Sequence, residues 1–169
     1  YRASEKGDVR KAMEYHNKSL KISEDIKDKE GIASTLNNLG VVYNDMGDIA
    51  RALECWYKSL KIEEETGNKL GISIALSNIA QVYNNQGDAA KAIEYTLRSL
   101  KINEEIGDKE GQATSLNNMA VIYSDMGEKT KALDYFTKGL KIQEEIGDNV
   151  GITTSLNNIG YAYENEGNP

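Results

Sequence analysis

Apolar residues along this chain recur at helical spacing, and the same order returns every forty residues. From about Lys29 to Met46, Ile32, Leu36, Leu39 and Tyr43 are four, three and four positions apart, which places them on one helical face. The same slots hold Ile72, Leu76, Ile79 and Tyr83, then Gln112, Leu116, Met119 and Tyr123, then Ile152, Leu156, Ile159 and Tyr163. Beside that stripe stands a small residue, Gly40, Ala80, Ala120 or Gly160, which lets a neighbouring helix approach closely. A second pattern runs from about Asp48 to Thr66. It brings Ala52, Trp56, Ser59, Leu60 and Ile62 near one face, and Ala12, His16, Ser19, Leu20 and Ile22 repeat it.

The polar punctuation agrees. Gly47 suits the left-handed position that ends a helix, and Asp48 suits the N-cap of the next. Gly67-Asn68 and Gly107-Asp108 follow the same logic, whereas Lys27-Asp28 departs from it and predicts a strained or shorter cap. Pairs such as Glu14–Lys18, Glu54–Lys58, Glu94–Arg98 and Asp134–Lys138 put acid ahead of base at i,i+4, the favourable order. The predicted elements are a partial first helix over 1–6, a second helix over 8–27, complete pairs over 29–66, 69–106 and 109–146, and an unpaired first helix over 149–166. A period in this range means stacked structural repeats, because a single helix pair cannot bury its own apolar face.

Composition narrows the function classes. Fourteen of the fifteen glycines fall on the forty-residue grid, Gly139 being off it, and the one proline is Pro169, so no helix is cut short. A net charge of −7 argues against nucleic-acid binding, and no apolar run is long enough to span a membrane. The single cysteine, Cys55, cannot form an internal disulfide and fits a reducing, cytoplasmic compartment. A single histidine, His16, leaves little for acid–base chemistry. No phosphate loop, Ser–His–Asp set or pair of catalytic carboxylates is present, so no enzyme, metal or cofactor is expected. The chain opens on Tyr1 without a methionine and is expected to be a piece of a longer array.

The set Leu36, Leu39-Gly40, Tyr43, Ala52, Trp56 and Ser59 resembles the tetratricopeptide repeat. It recurs at Leu76, Ile79-Ala80, Tyr83, Ala92, Thr96 and Ser99, and at Leu116, Met119-Ala120, Tyr123, Ala132, Phe136 and Gly139. The usual unit is shorter, and the family's terminal proline slot holds Glu24, Glu64, Glu104 and Glu144 here, so the second helix runs on. This long form is similar to the repeats of Pins-type adaptors, kinesin light chains and bacterial signalling proteins. The resemblance implies an all-α fold, a right-handed α-solenoid of antiparallel helix pairs whose first helices line a concave face. It also implies a scaffold that binds proteins or peptides.

On that face the sequence carries a second stripe. Asn38, Asn78, Asn118 and Asn158 share one slot, and Asn37, Asn117 and Asn157 share the slot before it. Asparagine is a poor interior helix residue, so its recurrence asks for a reason. An amide both donates and accepts, and a ladder of amides suits the main chain of an extended peptide. Resembling proteins use the Asn38 slot in that way. Bonding to the neighbouring repeat is the alternative, and Asn37, Asn117 and Asn157 admit both. Val41, Gln81, Val121 and Tyr161 share a variable slot suited to side-chain selectivity, and Asn44 and Asn84 extend the stripe.

The family's basic clamp for acidic C-terminal tails needs lysine or arginine on this stripe. It carries Asp45, Asp125 and Glu164 instead, so a neutral or basic protein or peptide partner is expected, with no nucleic acid and no membrane. Two other readings stay open: a structural solenoid that self-associates through its uncapped terminal helices, and a sensory segment of a larger signalling protein. Among singular residues, His16 and Trp56 share the packing slot of Phe136, and Cys55 shares a slot with Tyr15, Tyr95 and Tyr135. Tyr43, Tyr83, Tyr123 and Tyr163 are expected in the core. Glu63–Glu65 and Glu104–Glu105 are expected on solvated convex surface.

Overall fold

The computed structural model describes residues 2–164, with side chains from Val9 onward. The described residues form helices alone: α1 (Arg2–Asp25), α2 (Lys29–Asp45), α3 (Ile49–Thr66), α4 (Lys69–Asn85), α5 (Ala89–Ile106), α6 (Lys109–Asp125), α7 (Lys129–Ile146) and α8 (Asn149–Glu164). Residues 165 and 166 of the predicted last helix lie outside the described residues.

The turns show why the helices stop where they do. Gly47, Gly67, Gly87, Gly107, Gly127 and Gly147 all take positive φ, between 71° and 79°. A side chain there would strain the backbone. The residue that follows caps the next helix. Asp48 accepts from the Arg51 N–H at 3.1 Å, Asp88 from Lys91 at 3.1 Å, and Asp108 from Gly111 at 3.0 Å. Glu128 stands in the same position without a side-chain cap bond, since its extra methylene carries the carboxylate past the N–H groups. Lys27 fills the glycine position with φ 57°, and α1 ends at Asp25, one residue earlier in the repeat than α3 or α5.

One predicted boundary is corrected. The break between helices 1–6 and 8–27 does not occur, because α1 runs unbroken through Gly7. A glycine inside a helix costs about 1 kcal/mol relative to alanine, which a continuous helix tolerates.

The chain divides into two compact units, one up to Val82 and one from Tyr83 on. In the first unit, Ala33, Leu36, Leu39, Ala52, Trp56, Leu60, Leu76 and Ile79 form the buried core. Gly40 lies against Trp56, whose indole N–H donates to the Asn37 carbonyl at 3.2 Å. The Ser59 hydroxyl reaches the Ala33 carbonyl at 2.8 Å. In the second unit, Ala120, Ala132 and Phe136 cluster, with Val121, Tyr123, Tyr135 and Ile159 packed against them.

The tyrosines expected in the core sit at its edge. Tyr43, Tyr83 and Tyr123 are half-buried, and Arg51, Lys91 and Lys131 lie over their rings at 4.5, 4.6 and 5.2 Å. Tyr83 also stacks on Tyr95, and Tyr123 on Tyr135. A phenol keeps its hydroxyl wet, so the ring covers the helix turn rather than entering the interior. On α8, Leu156 is 52% exposed and Tyr163 56% exposed, whereas Leu36, Leu76 and Leu116 are buried in the first of these slots and the earlier tyrosines half-buried in the second.

A polar seam was missed. Glu63 is only 5% exposed, not on solvated surface, and Ser23, Asn103 and Gln143 are buried in the corresponding slot. Each lies against a glycine in the first turn of the next first helix: Gly31, Gly71, Gly111 or Gly151. Asn103 Nδ2 donates to Ser115 Oγ at 3.2 Å, and Ser155 donates to Gln143 Oε1 at 2.7 Å. Ser19 and Thr35 share a hydroxyl contact of 3.2 Å near Ser23.

Candidate peptide-binding stripe

First helices carry the candidate residues because the opposite face of each is committed to the core. In the first unit, Asn38, Val41 and Gln81 are exposed, and Asn37, Asn44 and Asn78 are half-buried. Asn78 Nδ2 donates to Asn37 Oδ1 at 2.9 Å. The two asparagine slots therefore meet across neighbouring repeats. Asn37 spends its acceptor on bracing, while Asn78 keeps its own Oδ1 and a second N–H for other use.

In the second unit, Tyr161 and Asn157 are exposed, and Asn84, Asn117, Asn118, Val121 and Asn158 are half-buried. Asn117 turns inward. Its Oδ1 stands 3.3 Å from Ser155 Oγ, in space that a β-carbon on Gly139 would contest. That is the reason for the one glycine off the forty-residue grid. Asn84 Nδ2 donates to Asp125 Oδ2 at 2.9 Å, linking the ends of successive first helices. The sequence marks both residues as stripe positions but not their bond. Both asparagine bonds join residues 41 apart, one repeat plus one position, so that offset pairs the residues in the sequence without fixing the rotamers that bond them.

Charge is arranged differently off the stripe. Glu14, Glu54 and Asp134 accept from Lys18, Lys58 and Lys138 at 2.7, 2.6 and 2.6 Å. Asp48 pairs with Arg51, and that hydrogen bond holds its carboxyl below the usual carboxylate range. Burial pushes the Cys55 thiol up, and Glu54 adds to the rise, which favours the protonated thiol. Among the described residues, no group of three or more His, Cys, Asp or Glu side chains could hold a metal ion. No described helix is long and apolar enough to cross a membrane.

The sequence profile of the tetratricopeptide repeat matches residues 3–65, 31–105 and 71–145. The chain belongs to the tetratricopeptide repeat family. These repeats generally mediate protein–protein interaction, and the family is generally non-enzymatic. No curated protein matches the chain in sequence. Solved structures with the same fold include BtubC (BKLC) from P. vanneervenii, at 20% identity over 97% of this chain and 68% of that one, with a TM-score of 0.85. A kinesin light chain candidate of Podosopora anserina with nearly identical TPR-like repeats matches at 18% identity, 98% and 82% coverage and a TM-score of 0.74. Aspartyl phosphate phosphatase F from Bacillus subtilis matches at 16% identity, 90% and 43% coverage and a TM-score of 0.76. The fold is thus the all-α solenoid of helix pairs that this family shares.

Proposed function

We propose that this TPR protein is a non-enzymatic scaffold that holds an extended, neutral or basic protein segment along the amide-bearing stripe of its first helices. The observation that carries the reading is the amide at Asn38, Asn78, Asn118 and Asn158, a costly helix residue kept at one exposed or half-buried slot in every first helix from α2 on. A peptide main chain in a groove loses water from its N–H and C=O groups, and carboxamides replace both kinds of partner. Val41, Gln81, Val121 and Tyr161 stand a turn away with different chemistry, which suits side-chain choice. The stripe has acids and no cation, which disfavours an acidic tail. A reducing cytoplasmic setting suits the half-buried, protonated Cys55.

The test is titration of a random extended-peptide library against the wild type and the Asn38→Ala, Asn118→Ala double variant. Weakened binding by the folded variant supports the ladder, and equal binding removes it.

Self-association is a second reading, favoured by the apolar stripe of α8 on which Leu156 and Tyr163 are exposed. Light scattering over a concentration series, with Leu156→Glu as the control, separates it from peptide binding. A strict monomer excludes it.

A further inference from the structure

We infer that the Asn84–Asp125 pair reads a lysine or arginine side chain of the bound segment, an inference that rests on the peptide-binding stripe proposed above. Asp125 is exposed at the end of α6, and its Oδ2 accepts from Asn84 Nδ2 at 2.9 Å. That bond fixes the carboxylate without neutralising it, and Oδ1 has no partner among the described residues.

Six carboxylates off the stripe are held by a cation instead. Glu14, Glu54 and Asp134 take the lysine four residues on, and Asp48, Asp88 and Glu128 take the cation three residues on. For Asp125 those positions are Glu128, whose carboxylate pairs with Lys131, and Lys129, whose ammonium lies over the Tyr163 ring at 5.4 Å. Asp125 thus has a neutral, orienting partner where these six have a charged one.

The surroundings match one ligand shape. Val121 lies one turn earlier on the same face of α6 and is half-buried against the Ala120–Ala132–Phe136 cluster. An apolar patch next to a carboxylate fits a side chain with a hydrocarbon stem and a cationic head, the combination that lysine and arginine offer. A phosphorylated or acidic segment would meet like charge here. Val41 and Asp45 repeat the one-turn relation on α2.

The experiment pans a displayed random twelve-residue peptide library on the wild type and on Asp125→Asn, whose isosteric amide keeps an acceptor for Asn84. Circular dichroism confirms that both are folded. The expected result is enrichment of lysine or arginine at one peptide position on the wild type and its loss on Asp125→Asn. Replacing that lysine by glutamine in the best synthetic peptide should weaken wild-type binding about three- to fivefold, as for an exposed ion pair, and leave the variant indifferent. Peptides selected without a basic preference, or the same preference on both proteins, overturn the inference while leaving the scaffold reading intact. Failure of the wild type to select any peptide overturns both.

Discussion

The Glu63 carboxylate on α3 packs directly over the α-carbon of Gly71 on α4, where a β-carbon would collide with it. Its Oε2 is buried without a hydrogen-bond partner. Burial raises its pKa above the ordinary 4.5, a hydrogen bond from Asn68 opposes the rise, and the nearby charge of Glu30 adds to it. The folded state therefore holds a proton that the unfolded chain has already released in the window above 4.5. Stability falls as pH rises through that window, and the cost is complete once pH exceeds the folded pKa. Glu63→Gln, which copies the residue at position 143, should flatten this part of the profile. At neutral pH it should raise the melting midpoint by roughly 2–4 °C if burying the charge costs about 1 kcal/mol, because the amide buries none. Thermal melts of both proteins across pH check this, and an unchanged slope counts against it.

Gly40 and Gly160 occupy one slot in different surroundings. A β-carbon at Gly40 would lie 2.5 Å from the indole nitrogen of Trp56, whereas one at Gly160 would meet nothing within 4 Å. Gly40→Ala should destabilise by about 1–3 kcal/mol through overpacking. Gly160→Ala should be neutral or stabilising by up to about 1 kcal/mol through helix propensity. Urea denaturation of the two variants tests the contrast, which fails if they shift alike.

Lys27 adopts the left-handed conformation that glycine takes at the corresponding turns. That conformation costs a non-glycine residue roughly 1 kcal/mol or more. Lys27→Gly should therefore stabilise by about 1 kcal/mol, and Lys27→Ala should not. Chemical denaturation of both distinguishes the backbone effect from loss of the lysine charge.

Asn78 and Asn38 share a slot, yet Asn78 bonds Asn37 at 2.9 Å. Asn78→Ala should cost about 0.5–1.5 kcal/mol of stability, a net hydrogen bond. Asn38→Ala should leave the melting midpoint nearly unchanged, which makes it the cleaner probe of binding. Calorimetry on the two single variants decides.

The helices were legible because Leu36, Leu39, Ala52 and Trp56 repeat a helical period in register, and because glycine followed by a capping acid marks each turn between Gly47 and Asp48 and its copies. Glu63 was not, because a run of three glutamates reads as solvated surface. The counter-signal lay in the repeat itself: its slot holds Ser23, Asn103 and Gln143, uncharged residues opposite a glycine each time. The tyrosines were misread because period alone places the ring but not the hydroxyl. In the stripe, the asparagines and acids could be recognised by type. The bonds of Asn37 to Asn78 and of Asn84 to Asp125 depend on rotamers, which a residue pattern does not carry.

The seam residues have one more consequence. Ser23, Glu63, Asn103 and Gln143 differ in length and bonding, and each is matched to what faces it: Gly31 against Ser23, Gly71 against Glu63, Ser115 beside Asn103, Ser155 beside Gln143. Repeats that look interchangeable by their apolar residues are thereby given separate addresses. Excision of residues 71–110 would set the Glu63 carboxylate against Gly111 and Ser115, a junction with different hydrogen bonding from any the chain now contains. The polar seams thus encode the order of the repeats and penalise slipped or swapped stacking that the hydrophobic pattern alone would accept.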